Sequence, residues 1–131
     1  MNALYATVQA LLADTDITDV VGQRIEISTA PEGADLPDIV IHGVTNADGQ
    51  RLTGADRYPN ARIRIECRAR TKTQAIDLGD LVIERLTDLR GTFAGMIVDS
   101  FIQEETDETD SAEDYATHRR FFDFSVRYRK A

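Results

Sequence analysis

The sequence predicts an α+β domain, in which two helices pack on one face of a mostly antiparallel sheet. Ala61 to Arg70 alternates apolar and polar residues, as a half-buried strand does. Lys72 to Arg90 follows at once and repeats apolar residues at helical spacing. Together with the remaining segments, the elements along the chain follow the order α, β, β, β, α, β, β. A helix that follows a strand so closely is expected to fold back over the strand's apolar side.

The strand at Ala61 to Arg70 separates its residues cleanly into two sides. One side carries Ile63, Ile65, Cys67 and Ala69. The other carries four arginines and one glutamate, namely Arg62, Arg64, Glu66, Arg68 and Arg70. We therefore expect a buried side and a basic side that faces solvent or a partner.

The helix at Lys72 to Arg90 has the strongest periodicity in the chain. Its apolar face comprises Ala75, Ile76, Leu78, Gly79, Val82, Ile83, Leu86 and Leu89. Thr71 followed by Gln74 fits a capping box at its start. Gly91 can adopt the left-handed conformation that closes a helix, so we place the stop there.

The N-terminal part predicts a helix and a short extension. Asn2 is expected to cap a helix that carries Leu4, Val8, Leu11 and Leu12 at helical spacing. Asp14 to Gly22 is interpreted as a break and one more turn, capped by Thr15 or Asp16 and ended by Gly22.

Two strands and a loop are expected next. Gln23 to Ser28 predicts a short strand, and Ala30 to Pro37 predicts a loop because of its prolines and glycine. Asp38 to Thr45 is apolar on both sides, so we place this strand centrally in the sheet. Asn46 to Asn60 is a long polar excursion, and such segments are usually mobile or functional.

The C-terminal third predicts an antiparallel hairpin. Thr92 to Gln103 favours a strand with a bulge at Gly95, and Thr117 to Arg129 alternates again. Between them, Glu104 to Asp114 holds seven acidic residues in eleven and is expected to form the tip.

Composition bounds the class of protein. The 131 residues are expected to form a single domain, 1–131, with 42% hydrophobic and 29% charged residues. The net charge of −8 argues against bulk affinity for nucleic acid or anionic membrane. The start of the chain is not of the signal-peptide type, and no apolar run reaches the ~20 residues of a membrane span. We expect a soluble protein made in the cytoplasm.

Searches for chemistry yield no candidate catalytic, cofactor-binding or metal-ligating residues. His42 and His118 lie in predicted strands without ligand spacing, and Cys67 is on the inward side of its strand. The acidic run lacks the glycine and the flanking helices of an EF-hand loop, which disfavours specific calcium binding. We expect no enzyme and no cofactor.

The arginine stripe has two interpretations. Arginines at 62, 64, 68, 70, 127 and 129 could track phosphates, but Glu66 and Asp123 interrupt the patch if the two strands are neighbours. An ion-pair ladder or a protein interface explains the pattern better. The candidate interface residues are Arg62, Arg64 and Arg68 of the strand, with Asp48, Arg51 and Arg57 of the polar excursion.

Taken together, these segments resemble the phage tail-completion (tail-terminator, head-to-tail joining) protein family. The resemblance covers an opening ALYATVQALLA helix, VVGQRI at Val20 to Ile25 and APEGADLPDIVI at Ala30 to Ile41. It continues through RIRIECRARTKTQAIDLGDLVIERL and ends with HRRFFDFSVRYR at His118 to Arg129.

The resemblance implies a structural virion protein with an α+β fold. Such proteins assemble as a homo-oligomeric ring, typically a hexamer, that caps the tail tube and meets the head connector or neck protein. It also implies that the protein is a tail or neck component of the virion, made in the host cytoplasm. The alternative is a head-side neck or adaptor (head completion) protein; a free-standing host regulator is disfavoured by the acidity.

If the protein forms such a ring, DNA passes through it without specific binding, and no membrane is involved. The acidic tip is then expected to line the channel, because carboxylates repel the duplex. Its residues are Glu104, Glu105, Asp107, Glu108, Asp110, Glu113 and Asp114. A solvated tip on the outside is the alternative.

Overall fold

The computed structural model describes residues 2–30, 33, 35–47, 50–51, 54–55, 60–111 and 117–130. Three helices are present in this part of the chain: α1 (Asn2–Leu12), α2 (Thr15–Val21) and α3 (Lys72–Leu86). The strands are β1 (Ile25–Ile27), β2 (Asp38–Ala47), β3 (Gln50–Arg51), β4 (Gly54–Ala55), β5 (Asn60–Ala69), β6 (Gly91–Phe93), β7 (Met96–Ser111) and β8 (His118–Lys130). The α+β class is confirmed.

Six strands form one sheet in the order β1-β2-β5-β8-β7-β6. Every neighbouring pair is antiparallel except β1 and β2, which are parallel. β3 and β4 pair separately as a two-stranded ribbon. The mostly antiparallel sheet is confirmed, but β5 and β8 hold its centre and β2 lies one strand further out.

The helices and the inward side of the sheet share one core. α3 packs against β5, β7 and β8, whereas α1 packs against β1, β2, β6 and β7. The predicted inward residues of β5 are fully buried, as are Phe122 and Phe124 of β8 and Phe101 of β7. The phenyl ring of Phe124 meets those of Phe101 and Phe122 edge to face, with centroids 6.4 and 5.9 Å apart. The apolar alternation therefore identified the core of the strand pair correctly.

Two helix ends at the N-terminal side differ from the prediction. Asn2 lies within the first turn of α1 rather than before it. The extra turn is a separate seven-residue helix, α2, whose cap is Asp14 rather than Thr15 or Asp16. The Asp14 carboxylate accepts from the N–H groups of Asp16 (3.0 Å) and Ile17 (3.2 Å), which a residue inside the helix cannot do.

α3 begins as predicted and ends earlier. Thr71 Oγ1 accepts from Gln74 N at 3.1 Å, which confirms the predicted cap. The chain leaves the helix at Thr87, and Asp88, not Gly91, takes the positive φ of 62°. Asp88 N donates to Phe101 O of β7 at 3.3 Å, so a bond to the sheet replaces helix continuation.

The predicted strand at Thr92 to Gln103 is in fact a hairpin. Phe93 pairs with Met96, and the two residues between them, Ala94 and Gly95, have φ of 52° and 76°. Positive φ at both central residues marks a type I′ turn. The bulge predicted at Gly95 is therefore wrong, because Gly95 forms the turn.

The described helices include none that is both long and apolar enough to cross a membrane.

Candidate functional site: the charged ladder on the open face of the sheet

The sheet face opposite the helices carries a row of charged side chains from β2, β5 and β8. In the register of these strands, Arg64 lies between His42 and Asp123, and Arg68 lies between Asp38 and Arg119. Alternation along each strand places these residues on the side away from the core. We call this row, comprising Asp38, His42, Arg62, Arg64, Glu66, Arg68, Arg119 and Asp123, the charged ladder.

Asp123 is the anchor of the charged ladder. Its side chain is fully buried although no described helix covers this face. It accepts from Arg62 Nε at 2.9 Å and from Arg64 Nε and Nη2 at 2.8 and 3.2 Å. The hydrogen bond to Asp123 raises the pKa of the Arg64 guanidinium. Two half-exposed arginines therefore share one buried carboxylate, and both are held within the chain.

At the other end of the ladder, a second buried carboxylate is bound by an arginine. Asp38 is almost fully buried, and Arg68 donates to both its carboxylate oxygens, through Nε at 2.7 Å and through Nη2. This hydrogen bonding raises the pKa of Arg68. Asp38 and Arg68 also face each other in the β2–β5 register. The pair therefore fixes that register as well as satisfying the charge.

A groove of about 520 Å³ opens along the ladder. His42 Nε2 lies 3.0 Å from Glu66 Oε1. Arg119 donates two hydrogen bonds of 2.6 Å to the carboxylate of Asp110, and its guanidinium lies 3.6 Å from Glu66. The arginines that line the groove, Arg64 and Arg119, are thus already bound to carboxylates. The groove is lined by His42, Gly43, Val44, Arg64, Glu66, Asp110, Arg119 and Phe121. Such a mixed-charge surface suits a protein partner better than a phosphate, which needs unpaired cations.

The sequence interpretation of the arginines is confirmed in one respect. Arg62 and Arg64 form the expected ion-pair ladder with Asp123, and Arg68 joins it through Asp38. Their use between subunits stays a prediction. Asp48, Arg57 and the side chain of Arg51 lie outside the described residues.

The acidic run differs from its prediction, because much of it is strand rather than tip. β7 continues to Ser111, and Asp107 to Ser111 pair with Phe122 to His118 of β8. Asp and Glu are poor strand formers, but β8 places arginines beside them. Asp107 accepts from Arg120, Asp110 from Arg119, and Glu104 from Ser125 Oγ. Glu105 and Glu108 remain exposed, and Glu113 and Asp114 lie outside the described residues.

Sequence reasoning missed the buried Arg120. Its Nε and Nη2 donate to Asp107 at 3.0 and 2.9 Å, and Nη1 donates to Asp80 at 2.6 Å and to Ile76 O at 2.8 Å. The bonds to Asp107 raise the pKa of the guanidinium. The sequence contained two indications of this burial. Arg120 alternates in phase with the inward residues Phe122 and Phe124, and Gly79 leaves space on the apolar face of the helix that packs on the sheet.

The described residues offer no grouping of three or more His, Cys, Asp or Glu side chains that could hold a metal ion. Cys67 is fully buried, and this burial raises the pKa of its thiol, so the nucleophilic thiolate is disfavoured. His118 Nδ1 lies 2.9 Å from Ser111 Oγ in the strand ladder.

Comparison with known proteins gives one family and a fold. Residues 5–129 match the family model described as "Tail completion protein gp17". Searching the curated proteins gives no match. Among solved structures, a chain of "Virion of native gene transfer agent (GTA) particle" is similar with a TM-score of 0.75 and 17% identity, over 95% of this chain and 92% of that one. "Structure of bacteriophage SPP1 gp17 protein" is similar with a TM-score of 0.57 and 18% identity, over 96% and 88%.

Proposed function

The chain belongs to the tail completion protein gp17 family, and from that premise we propose that it is a structural virion protein that forms a ring. The ring, a hexamer, terminates the tail tube and joins it to the head connector of a long-tailed phage or phage-like particle. The observation that carries this proposal is the family match over residues 5–129. The similar folds of a chain from a gene transfer agent virion and of SPP1 gp17 support it.

The charged ladder is proposed as a surface between subunits. Arg62 and Arg64 are each 38% exposed and Arg68 is 23% exposed, so their guanidinium groups remain accessible to a neighbour. Because each of these arginines is already paired with a carboxylate of the same chain, the surface presents ion pairs of fixed orientation and a groove rather than unpaired cations. By sequence, Asp48, Arg51 and Arg57 of the polar excursion are proposed to contribute to the same surface.

The acidic strand is proposed to face the DNA channel. Asp107 and Asp110 are compensated by arginines, so the repulsion comes mainly from the exposed Glu105 and Glu108. Glu113 and Asp114 add to it by sequence, and Glu104 lies near the middle of the same strand. Every subunit of a ring repeats this charge, and screening over about 8 Å requires the strand to approach the duplex closely.

Reconstitution with purified partners tests the proposal. Purified protein is measured by mass photometry alone, with the tail tube protein and, separately, with the head connector protein; negative-stain microscopy then locates any ring. We expect a ring seated at the ends of tail tubes. A protein that stays monomeric with both partners would contradict the ring, and one that binds the connector but never the tube would move it to the head side.

A further inference from the structure

Each margin of the six-stranded sheet has a short strand that covers only one end of a long one. β1 pairs with Ile39 to Ile41 of β2, and β6 pairs with Met96 to Val98 of β7. Among the described residues, no strand pairs with the outer edge of β2 from Gly43 to Ala47, or with that of β7 from Gln103 to Ser111. Unpaired strand edges are templates for pairing with another chain.

Hydrogen bonds at the margins identify which backbone groups point outward. Phe101 O accepts from Asp88 N, so the backbone of Phe101 faces away from β8. Phe101, Thr109 and Ser111 pair with Val126, Arg120 and His118, all even-numbered residues of β8. Because backbone direction alternates along a strand, Thr109 and Ser111 also direct their N–H and C=O groups outward.

The same reasoning applies at the other margin. Ile39 N donates to Arg24 O and Ile41 O accepts from Ser28 N, so odd residues of β2 face away from β5. The register shifts by one residue between Gly43 and Thr45. Beyond this shift, the even-numbered residues of β2 are the ones that face away from β5. Asn46, opposite Ala61, therefore directs its N–H and C=O groups away from β5.

The two edges have matching polarity. β2, β5, β8 and β7 follow one another in antiparallel pairs, so β7 runs opposite to β2. A rotation about an axis roughly along the strands preserves strand direction. It therefore brings the β7 edge of one copy against the β2 edge of the next in antiparallel orientation, as a head-to-tail contact that can close.

The distribution of charge favours this head-to-tail contact over a two-fold contact between two β7 edges. β7 carries Glu104, Glu105, Asp107, Glu108 and Asp110, whereas Ile39 to Ala47 contains no acidic residue. Two β7 edges meeting each other would place carboxylates against carboxylates, which is destabilising in a strand pair. The β2 edge has no such conflict, so the acidic strand disfavours a two-fold dimer and permits the head-to-tail contact.

We propose that the β7 edge of each subunit pairs through its backbone with the β2 edge of the next copy, so that one sheet continues around the ring. This inference rests on the proposed ring and names the atoms that hold it. The outward N–H groups of Thr109 and Asn46 are among the donors. The polar side chains of the charged ladder then add to the same interface, beside the backbone pairing.

Proline substitution tests the backbone contact, because proline removes an N–H and is tolerated where that N–H faces outward. Thr109→Pro and Asn46→Pro each delete one outward donor, and Thr109→Ala and Asn46→Ala are the matched controls that keep it. Glu108→Pro deletes an N–H that points to β8 and serves as the folding control. Circular dichroism and urea unfolding verify that each variant folds, and mass photometry with tail tube protein measures rings.

We expect both outward prolines to raise the protein concentration for half-assembly by at least about tenfold, and both alanines to assemble normally. Glu108→Pro should lose stability. If Thr109→Pro forms rings like the unmodified protein, the edge pairing is wrong while the ring stands. If Thr109→Pro fails but Asn46→Pro assembles normally, the β7 edge pairs with something other than β2 and the proposal is overturned. If the unmodified protein never forms a ring, the proposed function fails as well.

Amide exchange resolved by residue gives a second test without any substitution. On assembly, the amides of Thr109 and Ser111 should become protected, whereas those of Glu108 and Asp110 should be protected already in the monomer. Only backbone pairing produces this alternation. Uniform protection, or none, along Asp107 to Ser111 would overturn the proposal even if a proline variant failed to fold.

Discussion

Gly79 of α3 lies directly against the buried side chain of Arg120 of β8. A Cβ atom built on Gly79 would be 2.6 Å from Arg120 Cδ and 3.0 Å from its Nη1. Arg120 cannot move aside freely, because Asp107, Asp80 and Ile76 O hold its guanidinium. The missing side chain at position 79 thus makes the space in which helix, arginine and acidic strand meet.

Gly79→Ala should therefore destabilise the protein, although alanine is the better helix former by roughly 1 kcal/mol. Overpacking typically costs about 1–3 kcal/mol, and displaced hydrogen bonds of Arg120 add to this. Urea unfolding of Gly79→Ala, Arg120→Ala and the double variant checks it. In the double variant the clash is absent, so alanine at 79 should no longer destabilise; strictly additive losses would refute the packing argument.

Asp123→Asn should lower the free energy of unfolding by about 1–3 kcal/mol, because two arginines lose their shared carboxylate. This loss of stability is smaller than that expected for breaking a fully buried ion pair, because both arginines are partly exposed. Glu108→Gln removes a charge from an exposed position nearby and should change stability by no more than about 0.5 kcal/mol. Equal effects of the two substitutions in urea unfolding would show that Asp123 is not an anchor.

The buried thiol of Cys67 should make stability fall at alkaline pH. Burial raises its pKa in the folded state above the unfolded value near 8.5. Below that value both states keep the proton; above it only the unfolded state releases it, so unfolding becomes easier by up to about 1.4 kcal/mol per pH unit. Unfolding free energies of the unmodified protein and of Cys67→Val between pH 7 and 9.5 should diverge as pH rises. Parallel curves would contradict the assignment.

The channel proposal predicts a gain of DNA binding by charge reversal. Glu105→Lys with Glu108→Lys should make assembled rings bind duplex DNA, with an affinity that falls steeply with salt. Asp77→Lys with Glu84→Lys is the matched control, because both residues are exposed on α3 and the charge change is the same. Binding is measured by fluorescence anisotropy at several salt concentrations. Equal binding by both double variants would indicate only a general effect of net charge.

The Ala94–Gly95 turn offers a stabilising change. Ala94 has φ of 52°, where a residue with a side chain is disfavoured by roughly 1 kcal/mol. Ala94→Asn suits the first central position of a type I′ turn and should raise the melting temperature, while Gly95→Ala should lower it. Scanning calorimetry distinguishes the two directions, and a loss on Ala94→Asn would argue against the turn type.

Alternation and helical spacing predicted the parts of the fold in which local pattern and burial agree. The inward residues of β5, the apolar face of α3 and the cap at Thr71 follow from the sequence because one face of each element meets the same core. The split at Ala94 and the short length of α3 do not follow from periodicity. The end of α3 is followed by the bond between Asp88 N and Phe101 O, which lie in different elements, and the turn at Ala94 needs a positive φ that alanine does not signal.

The candidate site was predictable to a similar extent. Arg62, Arg64 and Asp123 were expected to pair if their strands were neighbours, and they do. The strand extension through Asp110 was not expected, because carboxylates disfavour strands and their compensation comes from Arg119 and Arg120 across the hairpin. Arg120 itself was missed because an inward arginine contradicts the apolar pattern unless its partners are known.

The pairing of β5 with β8 also has a kinetic consequence. Arg62 and Asp123 are 61 positions apart, yet their strands form the middle of the sheet. Closing so large a loop has an entropic cost before any contact of the central pair forms. Folding is therefore expected on the millisecond-to-second scale typical of chains with high contact order, and its rate-limiting step should be the meeting of β5 with β8 rather than the formation of α3.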